Sequence, residues 1–382
     1  MRCNILKTLA ATGAVMILGL SGCKKDGGSN NDILIGEYGS MTGSTATFGQ
    51  SNHKGVEMAF DAANAAGGLL GGRKLRVLLE DTQGKPEESQ VVVTKLINSD
   101  RVVAMIGEVA SSNSLAAAPV CQQNGIPMIS ASSTNPKVTE VGDYIFRICF
   151  IDPFQGLVMA KFAANTLKVK RIAILQDVKT DYSVGLTNFF RENFIKLGGE
   201  ITSEESYSQG DKDFNAQLTA IKSKNPEAIY IPGYYTEVGL IARQARKLGI
   251  TVPLLGGDGW DSEKLWEIGG EALNGCYYSN HSSTDDPNPI LQKFVVDYKA
   301  RYGGQPDAMA ALAYDAALVL IDAIKRAGSA SPDSIRMALA ATKNFPGATG
   351  SITIDEHRNA VKNAVVVEVR NGKYLFKESV AP

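Results

Sequence analysis

The chain has no surplus of charge of either sign. Its 382 residues carry 39 Lys and Arg against 40 Asp and Glu, a formal net charge of -1. A surface so balanced gives no basic face for phosphates, so nucleic acid is set aside as a partner. Histidine is scarce: His53, His281 and His357 lie far apart, and each reads as a surface or capping side chain. Cysteine is scarce too, and no pair or quartet has metal-ligand spacing. Cys121, Cys149 and Cys276 read as small buried apolar residues, with one disulfide among them left open. The Gly-x-Ser-x-Gly elbow, the Walker loop and His-Glu-x-x-His are all missing. The dinucleotide fingerprint is missing as well, since Gly257-Asp-Gly259 lacks its third glycine. With no nucleophile–base pair in view, the chain is not read as an enzyme, and no metal or cofactor is called for.

Long apolar runs are absent except at the start. Arg2 and Lys7 precede and interrupt a stretch, Ile5 to Leu20, that is otherwise apolar, small or Thr. A charged start, a short apolar stretch and a small-residue exit describe a secretory signal peptide. The stretch is too short for a spanning helix, which needs roughly 20 apolar residues. Its ending, Leu20-Ser21-Gly22-Cys23, resembles the bacterial lipobox. That resemblance implies cleavage after residue 22 and a lipid on Cys23; an ordinary signal peptide cut nearby is the plainer alternative. The polar run Lys24 to Asn31 then reads as a flexible tether. The expected location is the periplasmic face of a bacterial membrane, or the cell surface, through a lipid anchor.

The remaining chain, about 360 residues, is roughly twice a typical single-core domain. Short apolar runs alternate with amphipathic stretches. Strands are expected at Ile33–Gly36, Leu75–Leu79, Val102–Gly107 and Pro127–Ser130, with helices between them. The rhythm restarts after Asp152-Pro153, with strands at Arg171–Leu175, Ala228–Ile231 and Pro253–Gly256. Helices follow after Tyr278, and a hairpin-like pair closes the chain at Ala364–Val369 and Tyr374–Phe376. Strand–helix alternation with runs apolar on both faces implies parallel sheets covered by helices. The expected fold is therefore α/β: two Rossmann-like lobes joined by a multi-strand hinge. Lobe 1 is expected to comprise residues 31–152 plus 282–354, and lobe 2 residues 153–281 plus 355–382.

In such sheets ligands bind beyond the carboxyl ends of the strands, at helix starts. Three loops stand there. Glu108-Val-Ala-Ser-Ser-Asn-Ser114 places hydroxyls at the start of a helix, where unpaired N–H groups favour an anion. Plain capping by Ser111 or Ser112 accounts for the same residues. Ser130-Ala-Ser-Ser-Thr-Asn-Pro136 is a second hydroxyl cluster, or simply a solvated turn. Gly256-Gly-Asp-Gly-Trp-Asp-Ser262 lets backbone approach a small ligand, with Asp258 as a charge and Trp260 as a flat wall. A glycine turn with Asp258 as a cap is the alternative.

With these loops placed, the chain resembles the periplasmic binding proteins for branched-chain amino acids, the type I solute receptors of ABC importers. The likeness runs from about Ile33 to Lys373. Gly36-Glu-Tyr-Gly-Ser-Met-Thr-Gly43 with Phe48-Gly49 carries it, as do Asn64-Ala-Ala-Gly-Gly-Leu and Leu78-Leu-Glu-Asp-Thr. So do Ile106-Gly-Glu-Val-Ala-Ser-Ser, Ile129-Ser-Ala-Ser-Ser-Thr-Asn-Pro, Asp211-Lys-Asp-Phe and Gly239-Leu-Ile-Ala-Arg-Gln-Ala-Arg. The resemblance implies that Ser111 and the loop Ser132, Ser133 and Thr134 hold a ligand carboxylate. It implies that Tyr234 and Asp258 meet the ammonium, Asp258 standing where glutamate is frequent. Phe48, Ala110 and Tyr182, together with Trp260, are expected to wall the pocket. The implied function is capture of an α-amino acid, branched-chain or otherwise aliphatic, for delivery to an ABC permease. A sensor of the same fold and an amide- or urea-type receptor are the alternatives.

One consequence is independent of the fold. Replacing Cys23 by Ser removes the acylated thiol, so uncleaved precursor should accumulate and acyl labelling should vanish on a gel. Normal processing and membrane fractionation of the variant would rule out the lipoprotein reading.

Overall fold

The computed structural model describes residues 32–382. The signal segment, Cys23 and the tether lie outside the described residues. The first half runs β1 (Ile33–Gly39), α1 (Ala46–Ala65), β2 (Leu75–Asp81), α2 (Pro86–Asn98), β3 (Ala104–Ile106), α3 (Ser111–Gln123), β4 (Met128–Ser130), α4 (Lys137–Glu140) and β5 (Ile145–Arg147). Next come α5 (Asp152–Lys161), β6 (Arg171–Asp177), α6 (Asp181–Lys196), β7 (Glu200–Tyr207), α7 (Asn215–Ser223) and β8 (Ala228–Tyr230). They are followed by α8 (Tyr235–Lys247), β9 (Leu254–Gly256), α9 (Glu263–Gly269) and β10 (Cys276–Asn280). The chain ends with α10 (Pro289–Tyr302), α11 (Ala308–Ala327), α12 (Pro332–Ala340), β11 (Phe345–Gly347), β12 (Gly350–Ile352), β13 (Ala364–Arg370) and β14 (Lys373–Val380).

These elements build two main sheets. One is five-stranded and parallel, in the order β2-β1-β3-β4-β5. The other is seven-stranded, in the order β14-β13-β10-β9-β8-β6-β7. Its strands from β10 to β7 are parallel, while β13 and β14 form an antiparallel hairpin on its edge. Central strands such as Ala104-Met-Ile106 are buried on both faces, as parallel sheets covered by helices require. Proline at the first turn starts α2, α10 and α12, where its missing N–H costs nothing. Asp307 caps α11 by accepting from the Ala310 N–H at 2.9 Å. Helix α11 lies against α1 so closely that a Cβ built on Gly55 would stand 2.2 Å from the Ala310 carbonyl oxygen.

The chain passes between the sheets between β5 and α5, between β10 and α10, and between β12 and β13. Several expectations change here. Strand β7 carries Glu-Ile-Thr-Ser-Glu-Glu-Ser-Tyr, too polar to announce itself, and it lies on the sheet edge where water covers one side. Helix α1 begins at Ala46, and its first turns hold mostly small or polar residues with no apolar period. Cys121, Cys149 and Cys276 are buried and free. Burial pushes the Cys149 thiol up to about 12.

Asp152 opens α5 at the first passage and is fully buried. Burial raises its carboxyl from 3.8 to about 8. A group raised on folding lends stability below its unfolded value and loses it as pH climbs through the folded one. Asp152 therefore weakens the fold progressively between pH 3.8 and about 8. Asp152→Asn should unfold like wild type at pH 3 yet be more stable at pH 9, by about 1 kcal/mol or more. Melting temperatures at the two pH values check this; equal stability at pH 9 would contradict it.

Candidate functional site

In the first sheet β1 lies between β2 and β3, so successive connections leave it in opposite directions. In the second, β6 lies in the same way between β7 and β8. The crevices at these switch points open beyond the strands' carboxyl ends. The loops after β3, β4, β8 and β9 meet there.

The loop after β3 is pinned by its own acid. Glu108 Oε1 accepts from the Ser40 N–H at 2.8 Å and the Ser40 hydroxyl at 2.6 Å. Its Oε2 accepts from the Ala110 N–H at 3.0 Å. Burial pushes the Glu108 carboxyl up, and these donors pull against it. Ala110, not a serine, occupies the cap position of α3, in an extended conformation and with no side-chain cap. Ser111 and Ser112 are thus not caps. Ser111 accepts from the Asn135 N–H at 3.3 Å, tying the two hydroxyl loops together. Ser112 reaches the other sheet's side: its hydroxyl donates to Asp181 at 2.8 Å and accepts from the Asp181 N–H at 2.9 Å.

In the loop after β4, the Ser132 hydroxyl is buried with no hydrogen-bond partner, while the Thr134 hydroxyl lies beside the buried Asp152 carboxyl. A buried hydroxyl without a partner carries a desolvation cost that a ligand can relieve. Ser133 is turned the other way. Its hydroxyl donates to the Glu108 and Val109 carbonyls at 2.8 and 3.1 Å, so it braces the loop and faces no cleft.

Opposite stand the residues of the second sheet. The Tyr182 and Tyr234 rings stack at 5.2 Å, and Phe48 meets Tyr234 edge-on at 5.6 Å. Asp258 follows β9 and is 3% exposed. Its Oδ1 accepts from Gln155 Nε2 at 2.6 Å and the Tyr182 hydroxyl at 2.9 Å. Its Oδ2 lies 2.8 Å from His281 Nε2. Trp260 departs from the expected role. It is fully buried, its indole N–H donates to the Ile231 carbonyl at 2.9 Å, and it packs beneath Gly256 as core.

The structure therefore gathers Ser132, Tyr182, Tyr234 and Asp258 around one narrow crevice, whose cavity volume is only about 10 Å³. Val109, Gly259 and Met309 complete its wall and were not picked out in sequence. Met309 comes from α11, whose start nothing in the local sequence marks as near a ligand. Gln155 and His281 were also missed. His281 is neither a surface nor a capping residue; it is buried against Asp258, some distance away in sequence, so no local motif announces the pair.

Further contacts close the seam. Thr47 and Ser262 hydroxyls lie 2.9 Å apart, and the Thr236 hydroxyl donates to the Ser44 carbonyl at 2.6 Å. Asp261 accepts from the Ala308 N–H at the start of α11 at 2.7 Å. A larger hollow lies beside it, bordered by Ser51, Tyr278, Tyr298 and Asp307. Burial, then the neighbouring Asp261, pushes the Asp307 carboxyl up to about 7.

Sequence and structure comparisons agree with this fold. The family described as periplasmic binding protein matches residues 32–373. A Leu/Ile/Val-binding protein of Rhizobium johnstonii is 33% identical over 85% of this chain and 88% of its own length. A leucine-, isoleucine-, valine-, threonine- and alanine-binding protein of Pseudomonas aeruginosa is 31% identical over 85% of this chain and 86% of its own. Among solved structures, a leucine binding protein from Thermotoga maritima is 44% identical with a TM-score of 0.88, covering 92% of this chain and 99% of its own. A branched-chain amino acid transporter substrate binding protein from Streptococcus pneumoniae, solved with isoleucine, has a TM-score of 0.88 at 35% identity, covering 92% and 100%. Matched along nearly all of its described length, with its hydroxyl loops and its buried acid facing one crevice, the chain belongs to the periplasmic binding protein family, whose members bind ligands outside the cytoplasm and are not enzymes.

Proposed function

We propose that this protein captures an α-amino acid with an aliphatic side chain between its two sheets and delivers it to an ABC permease. The observation that carries this reading is the pairing of opposites across one crevice. On one side are the unpartnered Ser132 hydroxyl, the Thr134 hydroxyl and the first turn of α3, an arrangement of donors for a carboxylate. On the other is the buried Asp258 carboxylate, an acceptor for an ammonium. Val109 and Met309 add apolar wall for a side chain. An ammonium enclosed without a counter-charge is costly, so its acid is required. The names of the relatives, which bind leucine, isoleucine and valine, point the same way.

In this reading residues 31–152 together with 282–354 form one lobe, and 153–281 with 355–382 form the other. The three passages between them act as the hinge on which the lobes close. Cys23 carries the lipid that holds the protein at the outer side of a bacterial membrane, close to its permease.

A thermal-shift screen of amino acids, amides and short acids identifies the ligand class, since any ligand binding only the folded state raises the melting temperature. Calorimetry then tests the roles. Asp258→Asn keeps the shape and removes the charge; it should cost about 2–5 kcal/mol, or roughly 30- to several-thousand-fold in affinity. Ser111→Ala should cost less, on the order of 1–3 kcal/mol, because backbone donors remain. An Asp258→Asn variant that binds as wild type does would remove the counter-ion and favour an amide-type ligand.

A further inference from the structure

The acid assigned to the ammonium is already held from three sides. Gln155 on α5, Tyr182 on α6 and His281, next to the end of β10, all reach it. An ionised carboxylate is acceptor-only, and each oxygen has about two lone-pair sites. Oδ1 spends both on Gln155 and Tyr182, whereas Oδ2 spends one on His281. The open acceptor site is therefore on Oδ2, the oxygen that His281 holds. The backbone gives Asp258 little help, since it sits in a single 3-10 turn, Asp258–Trp260, right after Gly256-Gly257.

His281 is itself held firmly. Its side chain is fully buried, and its ring stacks on Phe150 with 3.8 Å between centroids and a 27° tilt. Phe150 lies on the first passage between the sheets and His281 on the second, so the ring is held where the chain crosses between them. Because Asp258 can only accept, the hydrogen belongs on Nε2. Nδ1 is buried with no partner, so the ring's hydrogen bond is the one donated from Nε2. That bond fixes Oδ2 and leaves its second lone pair for the ligand.

We propose that His281 is a positioning residue of the ammonium subsite: by holding Oδ2 it sets the direction of the one acceptor site that Asp258 keeps for the ligand. The inference rests on Asp258 being the ammonium's partner. It assigns selectivity for the amino group over other substituents to a hinge residue that touches no ligand.

The test compares leucine with 2-hydroxy-4-methylpentanoate, which has the same carboxylate and side chain but no ammonium. Affinities are measured by direct and competition calorimetry on the folded, full-length mature protein. His281→Phe keeps a flat ring against Phe150 and removes the donor. It should weaken leucine roughly 10- to 100-fold, the size expected for one hydrogen bond to a charged group, and the hydroxy acid less than about 3-fold. His281→Gln, whose amide N–H can stand in for Nε2–H, should recover most of the leucine loss, and it carries the test if the Phe variant does not fold. In an Asp258→Asn background, His281→Phe should cost nothing further. Equal losses for both probes in His281→Phe, or unchanged leucine affinity, would overturn the positioning role while leaving Asp258 in place. An Asp258→Asn protein that binds leucine normally, or a wild type that binds neither probe, would overturn the parent reading and this inference together.

Discussion

A carboxylate cannot be taken out of water unless donors replace the water, and this fold is built around carboxylates that have been. Glu108 is enclosed between β1 and β3 and is satisfied by Ser40 and Ala110. Asp315 on α11 accepts from the Ala348 and Thr349 N–H groups, with Lys362 in buried contact with it. Asp261 reaches from the second sheet's side to the first turn of α11. Each joins segments far apart in sequence, and removing one partner would leave an uncompensated charge, the costly case for buried ions. Asp258 follows the same rule with one difference. Its three side-chain donors stop short of saturating it, and the residue lines the crevice.

The architecture was legible because parallel strands covered on both faces leave apolar runs that need no context. Ile33–Gly39, Ala104–Ile106 and Arg171–Asp177 all show this. What escaped notice was governed by position in the sheet. Strand β7 is polar because it lies on an edge, and β10, Cys-Tyr-Tyr-Ser-Asn, mixes aromatics and polar residues because it runs into the hinge. The alternation of hydrophobicity reports burial: β7 is paired without being buried like its neighbours, whereas β10 is buried despite its polar residues.

The crevice was legible only where a loop concentrated unusual residues. The hydroxyl run from Ser130 to Asn135 and the glycines around Asp258 drew attention for that reason. Within those runs, local sequence could not say which side chain faces inward. Ser133 braces the loop while Ser132 stays unpartnered, a distinction set by the turn and not by residue type. Trp260 illustrates the same limit: a large ring beside a binding acid became core because its N–H found the Ile231 carbonyl. Gln155, His281 and Met309 arrive from α5, the hinge and α11, so only folding brings them to Asp258 or to the wall.

Away from the buried Asp261–Ala308 contact, the seam between the two sides is lightly held. Ser112 to Asp181, Thr47 to Ser262 and Thr236 to Ser44 are contacts of hydroxyls near solvent. Water can replace each of them at small net cost, since exchanging one hydrogen bond for another changes little. Such a seam works as a door with light hinges and a weak catch. In the proposed reading, its resting position is decided by what stands in the doorway, and a permease gripping both leaves need do little work to let the cargo through.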